Sequence, residues 1–132
     1  MLIVIDTTVV IACVMNEPHR HVLLAATTDQ QLIAPISLPL EIGNALSAMF
    51  KRQRIELQEA MKAIQLFRLM PIDLRQIDLE SAIRLAHRLF IYAYDAYVIQ
   101  CAVESGGRIL TLDAGLAAAA KTAQVPLCEV TP

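Results

Sequence analysis

Two short aliphatic runs, LIVI at residues 2–5 and RILTL at 108–112, each lead directly into a lone aspartate, Asp6 and Asp113. A strand that is apolar at nearly every position has both faces buried, the situation of a parallel sheet covered by helices on both sides. Helix-length segments fill the space between these runs. Thr8 to about Met15 and a second stretch to about Thr28 are predicted helices, broken at Asn16–Pro18, and Gln31–Ala34 is a brief strand stopped by Pro35. Pro39 to about Gln53 is a helix whose polar exceptions, Glu41, Asn44, Ser47 and Lys51, recur every three or four residues as one stripe. Glu56–Leu69 is a further helix, with Leu57, Ala60, Met61, Ile64 and Phe67 on one face, and Met70–Ile72 is an edge strand.

Leu79 to Phe90 reads as an amphipathic helix with Glu80 and Arg84 paired outside. Asp95–Glu104 has little polar surface and reads as a buried helix opened by its carboxylate and closed by Gly106-Gly107. Gly115–Thr122 is a helix and Leu127–Val130 a last strand. This alternation predicts an α/β fold with a mainly parallel central sheet of about four or five strands, in a single domain over residues 1–132.

Composition sets bounds on function. The chain is 56% hydrophobic and only 18% charged, which suits a doubly covered sheet together with an exposed partner-binding surface. No stretch approaches about 18 uninterrupted apolar residues, so a membrane span is not expected. The N-terminus lacks a signal-peptide pattern, and a cytoplasmic location is the expectation. The net charge of −2 does not suggest a general nucleic-acid binder. Cys13, Cys101 and Cys128 lie far apart without CxxC spacing and read as reduced core thiols, while His19, His21 and His87 form no metal-ligand pattern.

Four acids carry the chemistry. Asp6, Glu41, Asp95 and Asp113 are each isolated in apolar surroundings: LIVIDTTVV, SLPLEIGNAL, FIYAYDAYVIQCA and RILTLDAGLA. An unpaired carboxylate is costly to remove from water, so such contexts call for a partner or a metal. An Asp at a strand-to-helix junction also caps the helix, worth about 1 kcal/mol, and that reading serves Asp6, Asp95 and Asp113 taken singly. It serves Glu41 poorly, whose simpler alternative is the solvent-facing stripe. Brought together, the four form an anionic pocket suited to Mg²⁺ or Mn²⁺ and to phosphodiester hydrolysis. Thr7, Thr8 and Thr111 flank two of the acids, with hydroxyls able to orient a metal-bound water.

The segments VIDTTVVIA, LEIGNAL, YDAYVIQCA and ILTLDAGLA, in that order, resemble the motifs of PIN-domain ribonucleases and, among them, the VapC-type toxins of type II toxin–antitoxin pairs. The resemblance runs nearly end to end. It implies a three-layer α/β/α sandwich and Mg²⁺- or Mn²⁺-dependent endoribonuclease activity. Carried over position by position, Asp6, Glu41, Asp95 and Asp113 are the catalytic, metal-binding acids, supported by Thr7, Asn44 and Thr111. It also implies an RNA substrate, a homodimer and a small VapB-like antitoxin. A departure is the Ala114-Gly115 pair after Asp113, where further polar or acidic residues are frequent, which leaves open whether one or two metals bind.

Rival functions fit less well. A haloacid-dehalogenase-type phosphatase needs a second acid at Thr8, and a response-regulator receiver needs an acidic pair beside Asp6. A PIN fold serving as an RNA-binding or RNA-processing protein outside a toxin–antitoxin pair is the alternative. Lys51, Arg52 and Arg54 form one basic run that extends the Glu41 stripe and suits either phosphate contact or the helix dipole. With no tryptophan and three tyrosines, base stacking is not indicated, and Tyr97 is assigned to the core.

Overall fold

The computed structural model describes residues 1–130. The elements run β1 (Leu2–Ile5), α1 (Thr7–Val14), α2 (Arg20–Thr27), β2 (Gln31–Pro35), α3 (Leu38–Lys51), α4 (Leu57–Leu69), β3 (Ile72–Arg75), α5 (Leu79–Leu89), α6 (Ala93–Ser105), β4 (Arg108–Leu110) and α7 (Ala114–Thr122). The four strands form one sheet in the order β3-β2-β1-β4, every pairing parallel. Ile3 pairs with Leu32 on one side and Arg108 on the other, which sets the register of the central strand.

Side-chain alternation along the strands assigns the layers. Ile3, Ile5, Leu32, Ala34 and Leu110 face one way and pack with Val10, Leu23, Leu38, Ile42, Leu46, Ala60 and Ala63 from α1 to α4. Val4, Ile33 and Ile109 face the other way, against Leu85, Ala96, Ile99, Ala102, Leu116 and Ala120 from α5 to α7. The result is the expected three-layer α/β/α sandwich. Each fully buried Ile or Leu in these layers stabilises the fold by roughly 1.5–3 kcal/mol relative to exposure.

Several local expectations shift. The edge strand lies at Ile72–Arg75, not Met70–Ile72, because Pro71 has no N–H to give the ladder and pairing with β2 starts just after it. The last strand is reduced to a bridge: Ile109 donates to the Pro126 carbonyl at 3.0 Å and accepts from the Cys128 N–H at 2.7 Å. The sheet therefore has four strands. β4 ends at Leu110, earlier than expected, where Thr111 turns its hydroxyl to the Asp113 N–H. Helix α6 begins at Ala93 with Tyr92 as cap, so Asp95 lies within its first turn and does not open it.

On α4 the buried residues are Ala60 and Ala63, whereas Leu57 and Met61 are exposed. Among the described residues the ion pair within 4 Å is Arg75–Asp73 at 2.6 Å, and Glu80 and Arg84 do not form one. The three cysteines are free, and burial pushes the Cys101 thiol up to about 11, as befits an inert core residue. No helix is long and apolar enough to cross a membrane among the described residues.

Candidate active site

The sheet grows in one direction from β1 through β2 to β3, then returns to place β4 on the other side of β1. In open parallel sheets the carboxyl ends of the two strands that flank such a reversal, here β1 and β4, are the usual ligand-binding edge. Asp6 is the first residue after β1, and Asp113 follows the end of β4. Glu41 comes to the same edge in the first turn of α3, which follows β2, and Asp95 in the first turn of α6.

Asp6 and Asp113 are both helix caps. Asp6 Oδ1 accepts from the Val9 N–H at 3.3 Å, and Asp113 Oδ1 accepts from Gly115 N–H at 2.8 Å and Leu116 N–H at 3.3 Å. Capping does not exhaust either group, since a carboxylate has two oxygens and about four lone-pair directions. Asp113 is exposed and commits Oδ1 alone to its helix. Asp95 caps nothing, which removes the simpler reading for that residue.

Asp6 is the buried member, 6% exposed, and two threonines fix it. The Thr8 hydroxyl donates to Oδ1 at 2.6 Å and the Thr111 hydroxyl to Oδ2 at 2.5 Å. The same two oxygens accept from the backbone beyond β4: Thr8 from Leu112 N–H and Thr111 from Asp113 N–H, each at 3.0 Å. Thr8 and Thr111 thus tie the β1–α1 loop to the β4–α7 loop through the Asp6 carboxylate. Glu41 is half-buried and held by Ser37, whose hydroxyl donates to Oε2 at 2.8 Å, and more weakly by Thr7 at 3.4 Å.

Burial raises the Asp6 carboxyl above the ordinary carboxylate range, against the lowering pull of Thr111, Thr8 and the Val9 N–H, and Asp113 repels it further. Burial likewise raises Glu41, opposed by Ser37 and Thr7 and reinforced by Asp6 and Asp95. Asp95 is raised by burial first and then by Asp113 and Asp6. No lysine or arginine figures among the groups that perturb these three. The fold thus collects carboxylates that are partly desolvated and mutually repelling, with no side-chain cation to offset them. An all-oxygen donor set of this charge fits a hard divalent cation. Among the described residues, however, no three acids stand close enough to ligate one ion directly.

Other residues singled out from sequence fall further away. Asn44 is exposed one turn beyond Glu41 on α3 and makes no side-chain hydrogen bond to the four acids among the described residues. Lys51, Arg52 and Arg54 are exposed at the far end of α3. Lys51 lies ten positions beyond Glu41, about 15 Å along the helix at about 1.5 Å per residue. Ser37 is a site residue that sequence reasoning missed. Its signal was faint: a serine one turn ahead of an isolated glutamate, before a proline that starts the helix.

A family model described as PIN domain matches residues 3–122. Among solved structures, PAE2754 from Pyrobaculum aerophilum is similar at a TM-score of 0.70 and 20% identity, over 90% of this chain and 87% of that one. No curated protein matches.

Proposed function

This chain belongs to the PIN-domain family, and from that premise we propose that its acidic edge is the active site of a metal-dependent endoribonuclease. The observation that supports this reading above others is the gathering of Asp6, Glu41 and Asp95 at the carboxyl edge of the sheet, partly buried and near enough to repel one another or Asp113. Nothing in the fold requires three such groups to share a crevice, and each would be more favourably placed in water.

Asp6, Glu41, Asp95 and Asp113 would hold one or more Mg²⁺ or Mn²⁺ ions, partly through water. When bound, such an ion supplies charge stabilisation to a phosphodiester undergoing in-line displacement and lowers the pKa of an attacking water. The protein's own part is to fix the donors. Thr8 and Thr111 lock the Asp6 rotamer, so one carboxylate is immobile before any ligand arrives. Ser37 and Thr7 hold Glu41 by hydrogen bonds, and Asp95 and the Oδ2 of Asp113 keep oxygens free for an ion. The raised pKa values mean that an ion must displace protons more readily retained than in free carboxylates, so loading strengthens as pH rises.

Within the family we assign the chain to the VapC-type toxins, acting as a homodimer restrained by a small VapB-like antitoxin. The end-to-end order of the four motifs favours this over a role in RNA processing without such a partner. Two experiments test the reading. Asp6→Asn is expected to abolish Mg²⁺-dependent cleavage of RNA while the protein stays folded, and a folded variant with wild-type cleavage refutes the site. Expression of the wild-type chain is expected to arrest growth, relieved by co-expression of a small protein encoded next to it. Normal growth at verified expression, with no tight partner recovered, refutes the toxin role.

A further inference from the structure

The acids gather at the carboxyl edge of the sheet, and the same edge carries a hollow over the ends of β2 and β3. It is a cavity of about 380 Å³, walled by Pro35, Ile36, Ile77 and Leu79 and furnished with polar atoms by Ser37, Gln76 and Tyr97. Ser37 belongs to both places, since it lines this cavity and donates to Glu41 Oε2 at 2.8 Å. Tyr97 follows Asp95 on α6. It is half-buried, not a core residue, and its ring is braced edge-on by Tyr94, with centroids 5.8 Å apart and planes at 80°.

The chemistry of the lining selects the occupant. Among the described residues no lysine or arginine lines the cavity, and Glu41 adjoins it through Ser37, so the lining disfavours a phosphate as occupant. The walls are mostly apolar and one is aromatic, which suits a flat, neutral body, and Ser37, Gln76 and Tyr97 add polar side chains to the lining that could meet donors and acceptors on its edge. A strand whose phosphodiester lies over the acids and which continues along the sheet edge toward β2 and β3 meets the cavity, since Ser37 joins the two places. We infer that the cavity binds one nucleobase of a single-stranded RNA next to the cleaved phosphodiester, and that Tyr97, Gln76 and Ser37 set the base preference there. The inference rests on the nuclease reading of the acids.

The test uses short single-stranded oligoribonucleotides that carry each of the four bases, or an abasic ribose, at every position around the cleaved bond. For the wild-type chain, one position adjacent to that bond is expected to show about a tenfold fall in kcat/KM when its base is removed, the range of one stacked base. In Ile36→Trp, whose exposed parent side chain borders the cavity so that the indole fills it, the same removal is expected to change kcat/KM by less than about twofold. Gln76→Ala, a change at an exposed position, keeps the apolar walls and is expected to flatten the choice among the four bases while retaining the abasic penalty. A wild-type abasic penalty in folded Ile36→Trp, together with an unaltered base preference in Gln76→Ala, overturns the inference. So does a change of oligomeric state in Ile36→Trp with its base profile intact, since the cavity then seats a second copy of the chain. A base-free diester, bis(p-nitrophenyl) phosphate, separates the two readings. If the wild-type chain cleaves neither this ester nor RNA, the nuclease reading fails and this one with it, whereas cleavage of both with no base dependence removes the cavity's role alone.

Discussion

Replacing Asp95 by asparagine should make the metal-free protein more stable while making the nuclease inactive. Asp95 accepts no hydrogen bond among the described residues and caps nothing, so the amide forfeits no bond that the carboxylate makes. What disappears is a half-buried negative charge raised by burial, by Asp113 and by Asp6. Each unit of pKa elevation corresponds to about 1.4 kcal/mol of native-state penalty on the ionised form. Because the side chain is half exposed, solvent screens that penalty, and like-charge pairs of this exposure are worth about 0.2–1 kcal/mol each. Two such repulsions plus partial desolvation give a net gain of about 1 kcal/mol for Asp95→Asn at pH 7, or about 2–6 °C in Tm for a domain of this size.

The pH dependence has a definite sign. A carboxyl whose native pKa is raised binds its proton more tightly folded than unfolded, so the wild-type chain loses stability as pH climbs through the native pKa. The advantage of Asp95→Asn should therefore be largest at neutral pH and vanish below the unfolded value of 3.8. Thermal melts in EDTA from pH 3.5 to 8 measure this directly, and adding Mn²⁺ should raise the wild-type Tm more than that of the variant. A variant destabilised by 1 kcal/mol or more in EDTA at pH 7 would show that Asp95 is a structural carboxylate, and the reasoning would fail.

Thr111→Val should cost about 1–3 kcal/mol, because it strips a hydrogen bond from the buried Asp6 carboxyl, while the exposed Asp113 N–H turns to water; denaturant unfolding at neutral pH reads the loss. Asp113→Asn should retain helix α7 and nearly all stability while lowering cleavage, whereas Asp113→Ala should lose about 1 kcal/mol as well; equal stability for the two would contradict the capping role seen at Gly115 and Leu116. The Mn²⁺ concentration for half-maximal cleavage should fall as pH rises from 5 to 8, since ions must displace protons held by the raised Asp6, Glu41 and Asp95; a pH-independent midpoint argues against their being ligands. Ile33→Ala, at a fully buried central-strand position, should cost about 2–5 kcal/mol by chemical denaturation with little change in metal response.

Strand runs without alternation, such as LIVI, require burial on both faces, and from that the covering layers and the parallel sheet follow. The isolation of Asp6, Glu41, Asp95 and Asp113 among apolar neighbours was equally legible, because a lone carboxylate in such a context is an energetic anomaly wherever the chain folds. Local chain chemistry also foretold most helix limits, and it failed where a tertiary partner decided. β3 moved past Pro71 because its ladder to β2 needs N–H groups that proline lacks. The last strand shrank to a bridge at Leu127.

Only the folded arrangement could decide whether an acid was a cap, a ligand candidate or both. Capping depends on a few backbone N–H groups nearby in sequence, but the raised pKa of Asp95 depends first on burial and then on Asp113 and Asp6, all of which the tertiary fold supplies. Ser37 and Thr8 gained their roles the same way, one through a helical turn onto Glu41 and the other by reaching across to Leu112. Tyr97, read as core, came to line a cavity that shares Ser37 with the Glu41 site, because the loop after β3 and the start of α3 pack beside it, a placement that no periodicity in one helix encodes. Residue type and spacing determined which groups were costly to bury, and the tertiary structure determined which of those costs fell in the same crevice, because electrostatic repulsion and hydrogen bonding depend on distances that sequence separation does not set.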